Sequence, residues 1–345
     1  MVDRGSAKLT IVTDDGNQRP DGELRLENGR RLHLAGSGTS ITVGERVLAH
    51  APGSVYRVVD ASGTEHALVW LDSQSRDWQL DQARLLCRTG IVHAAFCWPI
   101  DLVLDDELNE RGILLPLVEG RFETLSKFLH RSDLTFDLRL TVTSELADAL
   151  GKLHHTGLCF PGLDSGVYAD PQSGDIALIG WEAVSDGTRY FLGNPTVMAP
   201  ELTKGEELPS PYTDNHALAV HLFLIFMRGH PLDHELELDD PEFPPDPVFV
   251  FDPADASHRP PPDPLVVTWW HMYPKFFQEH FIQTFTVGLS DPPRRVSPDE
   301  WRDVINRLRS YSGECECGAL VFYDPQEPQK TCWRCEATLG LGSGD

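Results

Sequence analysis

A chain of 345 residues with 41% apolar content can bury a large core and is long enough for a two-lobed domain with a small appendage. Acidic residues outnumber basic ones by 53 to 29, and the net charge of −24 argues against nucleic acid or an anionic membrane as the main partner. The longest apolar run, Ala217 to Met227, falls short of the roughly 20 residues that cross a bilayer, and the polar N-terminus lacks the apolar centre of a secretory signal, so a cytoplasmic protein is expected.

Residues 1–20 are polar and expected to be flexible. From Glu23 to Leu34 apolar residues alternate around Asn28-Gly29, which predicts a β-hairpin. Strands are predicted at Ile41 to Leu48, Val55 to Val59 and Ala67 to Leu71, with Asp60-Ala61-Ser62-Gly63 as a turn. A short helix over Gln79 to Cys87 and strands around Trp98 to Leu104 and Ile113 to Leu117 complete a small antiparallel sheet with one helix.

The pattern changes after Leu117. Val142, Leu146, Ala149, Leu150 and Leu153 recur at helical spacing and predict an amphipathic helix ending near His155. Short strands follow at Val167 to Ala169 and Ile176 to Ile179, then a mostly apolar and therefore buried helix over Asn215 to Met227. Asp233 to Pro264 is acidic and proline-rich and cannot be one regular element. Two further helices are predicted around Pro274 to Val287 and Pro298 to Arg309. Strands first and helices afterwards is an α+β order.

Three cysteines, Cys87, Cys97 and Cys159, are scattered and read as small apolar side chains. The other four form two pairs, Cys315-x-Cys317 and Cys332-x-x-Cys335, separated by fourteen residues. Two close pairs of thiols in a segment too small for its own core suit a tetrahedral structural zinc site. A disulfide pair or free thiols are the other readings, and Glu314 stands where the outer cysteine of a more usual first pair would be.

Several segments resemble protein kinases. Thr188 to Leu202, TRYFLGNPTVMAPEL, is similar to the end of an activation segment running into Ala199-Pro200-Glu201. Tyr212-Thr213-Asp214 opens the buried helix at the expected distance, and Leu153-His154-His155-Thr156-Gly157-Leu158 is similar to the stretch before a catalytic loop. Phe96 to Val103, Val248 to Asp255, Met272 to Phe277 and Gly288 to Pro292 resemble a bacterial Ser/Thr kinase-like subfamily that carries a C-terminal zinc ribbon and occurs beside metal-dependent phosphatases and von Willebrand A-domain proteins. The likeness runs from about Val43 to the end of the chain. It implies a bilobal protein-kinase fold, with residues 21–118 as a β-rich N-lobe, 119–310 as an α-helical C-lobe and 311–345 as the zinc ribbon.

The resemblance also marks what this chain lacks. A kinase positions phosphate with a glycine-rich loop, a lysine, two metal ligands and a catalytic Asp. Here the loop retains only Gly53, the lysine position is Val69, the catalytic Asp position is Gly162, and the Asp of the Asp-Phe-Gly motif is Gly180. The metal-binding Asn has no counterpart. Asp164 and Glu182 are the weak candidates for a displaced carboxylate. Glu201, Asp214 and Arg295 match positions that hold the fold together. The expectation is a pseudokinase that scaffolds or regulates a protein partner, namely a metal-dependent phosphatase, a von Willebrand A-domain protein or an active kinase. Zinc is its expected cofactor, and ATP with magnesium is not expected to bind. An atypical nucleotide-binding transferase is the alternative.

Overall fold

A computed structural model describes residues 25–50, 53–71, 76–164, 166–180, 183–185, 196–233, 247–254, 263–326 and 331–339. The chain divides into two compact units, Met1–Glu123 with Ala177–Ala183, and Thr124–Ile176 with Val184–Asp345. Residues 312–326 and 331–339 fall within the second unit.

The first unit is built on β1 (Arg31–Leu34), β2 (Ser40–His50), β3 (Gly53–Asp60), β4 (Glu65–Leu71), α1 (Arg76–Thr89), β5 (Asp101–Leu104) and β6 (Glu110–Pro116). The strands close into a barrel in the order β1-β2-β3-β4-β6-β5, with β5 returning to β1 through His33↔Leu104 and Leu34↔Val103. Period-two alternation divides the apolar residues between two clusters. Leu32, Ile41, Val43, Tyr56, Val58, Leu68 and Leu114 share one core. Val69, Leu71, Leu102, Ile113 and Leu115 face the other way and pack on Leu80 and Ala83 of α1.

Among the described residues, the first arm of the hairpin predicted over Glu23 to Leu34 is not a strand at 25–27. Gly29 turns the chain at φ +86°, but Leu24 lies outside the described residues, and β1 pairs with β2 and β5 instead. Leu26 is 4% exposed and its N–H donates to the Tyr56 hydroxyl at 3.1 Å. Burial of this leucine in the barrel core outweighs the pairing that alternation suggested.

The second unit is mainly helical: α2 (Leu125–Leu129), α3 (Phe136–His154), α4 (Pro200–Thr203), α5 (Pro211–Met227), α6 (Pro264–Met272), α7 (Lys275–Phe285), α8 (Val287–Ser290) and α9 (Pro298–Tyr311). Helix α5 is apolar on nearly all sides and almost wholly buried. Ser210 and Thr213 cap its first turn reciprocally, Pro211 supplies a preset φ, and Arg228 ends it in a left-handed conformation at φ +59°. Phe223 of α5 meets Phe249, Trp270, Phe281 and Phe285 at ring distances of 5.2–6.4 Å. Trp301 of α9 closes on Phe281 at 4.7 Å.

The helix predicted over Pro274 to Val287 breaks at Thr286, whose φ −119° and ψ −83° separate α7 from α8. Within the proline-rich stretch, Val248–Phe249 pairs with Leu232–Asp233, and α6 begins at its end behind the Asp263 cap. Residues 234–246 and 255–262 lie outside the described residues. Among the described residues no helix is long and apolar enough to cross a membrane.

Candidate functional site

The positions that the resemblance assigns to chemistry fall in both units, and each is described within its own. In the first unit Val69 lies in the middle of β4, between Val55 of β3 and Ile113 of β6. It is 5% exposed and surrounded by Leu71, Leu80, Ala83, Leu102, Ile113 and Leu115. Such a site holds a branched aliphatic side chain well and offers nothing to an ammonium group. Gln82 of α1 donates its amide Nε2 to the carbonyl of Ala183 at 2.8 Å. That bond ties α1 to the segment after Gly180. Gly53 opens β3 opposite His50 and Leu71, at the tip of a β-hairpin whose Ala51 and Pro52 lie outside the described residues.

Gly180 is the most constrained of these positions. Its N–H donates to the carbonyl of Cys97 at 3.1 Å. A Cβ built on it would meet Trp98 Cε3 at 3.0 Å, the Cys97 carbonyl oxygen at 3.1 Å and Phe96 Cβ at 3.3 Å. The neighbours are fixed in turn: Phe96 bridges to Leu178, the Cys97 N–H donates to the Leu178 carbonyl at 2.7 Å, and the Trp98 indole donates to the Leu86 carbonyl at 2.8 Å. Gly180→Ala is therefore expected to cost about 1–3 kcal/mol, since extra volume in a packed site forces side chains or backbone to move. A shift of the urea midpoint at unchanged m-value measures it. Trp181 and Glu182 lie outside the described residues.

In the second unit Pro161–Asp164 forms one 3-10 turn, so Gly162 is part of a tight turn and Asp164 closes it. The turn is held by its backbone: Gly166 N–H donates to the Gly162 carbonyl at 2.9 Å, and His221 Nε2 of α5 lies 2.5 Å from the Leu163 carbonyl. Just before it, Asp214 is 1% exposed and its Oδ2 accepts from the Phe160 N–H at 2.6 Å, with His154 Nε2 at 2.8 Å. A buried carboxylate so bonded fixes the end of α3, the start of α5 and the turn to one another.

Glu201 of α4 and Arg295 form a two-pronged ion pair, Nη1 to Oε1 at 2.6 Å and Nη2 to Oε2 at 2.9 Å. Arg295 is 2% exposed and also donates to the carbonyls of Gly288 at 2.7 Å and Tyr212 at 3.0 Å. Every prong of the guanidinium has an acceptor, which a buried charge requires.

The four C-terminal cysteines converge. Their sulfurs all lie within 4.8 Å of one another, with Cys315 3.7 Å from Cys335 and Cys317 3.7 Å from Cys332. A disulfide would bring a pair to about 2.05 Å. Four thiolates about 2.3 Å from a central ion would stand about 3.8 Å apart, close to the 3.7 Å of these two pairs. Two turns supply the geometry. Gly318, at φ +78°, donates to the Cys315 carbonyl at 2.7 Å, and the Cys332 sulfur accepts from the Arg334 N–H at 3.4 Å. Burial raises the Cys332 thiol, but the N–H groups of Cys335 and Arg334 outweigh it and bring the group down to about 6, whereas burial pushes Cys317 up to about 12. The four sulfurs are close enough to one another to share a single metal ion. Burial pushes the scattered Cys87 and Cys97 up to about 11, so both remain protonated and unreactive. Cys87 is only half-buried and donates to the Pro99 carbonyl at 3.7 Å.

No protein-family model and no curated protein matches the sequence. Solved structures do. The chain is similar to a Toxoplasma gondii specific rhoptry antigen kinase domain, at 19% identity over 83% of this chain and 87% of that one, with a TM-score of 0.54. It is also similar to the kinase PK-1 of Cydia pomonella granulovirus, at 15% identity over 76% of this chain and 92% of that one, with a TM-score of 0.54. The chain thus has an α+β, protein-kinase-like fold, and carries a cysteine cluster compatible with a metal.

Proposed function

We propose that this chain is a pseudokinase, a kinase fold kept as a scaffold or allosteric regulator of a signalling protein, with a structural zinc in its C-terminal ribbon. The observation that carries the reading is Gly180, where the magnesium-binding Asp of a kinase would stand. No side chain fits there unless the Cys97 carbonyl, Phe96 or Trp98 moves. Val69 and Gly162 add to it, because the first lies among aliphatic side chains and the second has no side chain to offer a carboxylate. Phosphoryl transfer depends on positioned charge, and three of its charged groups are replaced here by groups that carry none.

The fold-holding polar groups are intact in the same chain. The Glu201–Arg295 pair and the Asp214 acceptor remain fully bonded, which suits a protein whose shape is its output. The charge of −24 favours a protein partner over nucleic acid. The subfamily resemblance suggests a metal-dependent phosphatase, a von Willebrand A-domain protein or an active kinase, in the cytoplasm. Zinc is the metal of choice because a four-thiolate tetrahedron with the observed spacing suits it.

The test is a calorimetric and thermal-shift titration of the zinc-loaded chain with ATP, with and without magnesium or manganese. The expected result is no heat and no stabilisation at millimolar nucleotide, since a ligand that binds the folded state raises its stability. Metal-dependent binding, abolished by Asp164→Ala or Glu182→Ala, would overturn the reading in favour of an atypical transferase.

A further inference from the structure

The cysteine cluster does not stand apart from the helices. Helix α9 ends at Tyr311, and the hairpin strand Ser312–Glu314 begins at the next residue, so no linker separates them. The returning strand, Leu320–Phe322, pairs with it through Ser312↔Phe322, Gly313↔Val321 and Glu314↔Leu320. Phe322, at its end, is 2% exposed and lies 5.8 Å from Phe136 in the first turn of α3 and 5.5 Å from Tyr273 between α6 and α7. Tyr323 N–H donates to the Tyr311 carbonyl at 2.7 Å. Arg307 of α9 lies over the Phe276 ring at 3.9 Å and reaches the buried Asp324 at 3.5 Å. The hairpin thus inserts an aromatic side chain into the helical unit and is pinned on both sides of it.

What holds the hairpin itself is small. Its apolar cluster consists of Cys315, Ala319, Val321 and Cys332, with Tyr323 and Leu339 packed against it. Two of its four buried members are sulfurs of the metal cluster, so little apolar core remains without the ion.

We propose that the metal centre is a latch on the helical unit: ion binding folds the hairpin, and the folded hairpin keeps Phe322 between Phe136 and Tyr273. Loss of the ion withdraws Phe322 and loosens the start of α3 and the α6–α7 junction, which makes the kinase-like unit responsive to metal. The proposal rests on the zinc reading and is independent of whether nucleotide binds.

Hydrogen exchange on the full chain tests it, with zinc bound, after chelation, and in Phe322→Ala and Phe322→Leu. Zinc content is measured alongside by metal analysis. The reporting amides are Arg139 and Phe277, which donate to the carbonyls of Thr135 at 3.3 Å and Pro274 at 3.0 Å. Chelation is expected to speed exchange at both by tenfold or more. Phe322→Ala is expected to do the same with one zinc still bound, and Phe322→Leu to fall between. Faster exchange confined to residues 312–339 on chelation, or unchanged Arg139 and Phe277 in zinc-loaded Phe322→Ala, would overturn the latch. A chain that takes up no zinc overturns the zinc reading and the latch with it. Nucleotide binding overturns only the pseudokinase reading.

Discussion

Arg295→Ala is expected to destabilise the second unit by about 3–5 kcal/mol, the usual result of removing one partner from a buried ion pair. The loss exceeds that of a surface ion pair because Glu201, 8% exposed, loses the partner that bonds both of its oxygens. The carbonyls of Gly288 and Tyr212 lose their donor at the same time. Arg295→Lys separates charge from geometry: an ammonium group restores the sign but cannot span both Glu201 oxygens and two carbonyls, so it recovers only part of the loss. Urea denaturation of the three chains measures the effect. Equal stability of Arg295→Ala and the parent chain would mean that the pair contributes nothing to the fold.

The second large effect concerns an attempt to restore chemistry. Val69→Lys is expected to cost on the order of 4 kcal/mol, because buried lysines commonly lose their charge through shifts of 3–5 pKa units, each worth 1.36 kcal/mol. The side chain would enter the cluster formed by Leu80, Ala83, Ile113 and Leu115. Gln82, the polar side chain on that part of α1, is committed to the Ala183 carbonyl and carries no charge to pair with it. No nucleotide affinity should appear in the calorimetric titration. A Val69→Lys chain that is as stable as the parent and binds ATP would show that a single residue separates this protein from a nucleotide-binding one.

The sequence read some of these relationships well and others not at all. Strand patterns located β2 to β6, and helical spacing located α3, because each presents one regular face to a core; α5 was legible instead from its mostly apolar character. Pairing was not readable in the same way. Asn28-Gly29 is a good turn, yet Leu26 is drawn into the barrel, and only closure of β5 on β1 determines that. Helix α6 was hidden because it starts at the end of a proline-rich stretch, and its apolar residues face both α5 and solvent, with Leu265 exposed and Trp270 buried.

The candidate site divides along the same line. Glu201, Asp214 and Arg295 sit in segments whose order along the chain carries the resemblance, and the four cysteines announce themselves by spacing. The tie between Gln82 and Ala183 spans 101 residues and involves a main-chain carbonyl, so no pattern of side chains could reveal it. The closure around Gly180 depends on Phe96, Cys97 and Trp98, more than eighty positions earlier.

The packing around Gly180 bears on how such a lineage can change. An aspartate here would bring its Cβ to 3.0 Å from Trp98 Cε3 and 3.1 Å from the Cys97 carbonyl oxygen, so those neighbours would have to give way. A larger side chain would fit more readily once Trp98 or Phe96 had become smaller, and each of those substitutions alone would open a void in a packed site. Such a route therefore passes through a less stable intermediate. Selection for stability would oppose its first step, which leaves the exposed surface as the easier place for this chain to vary.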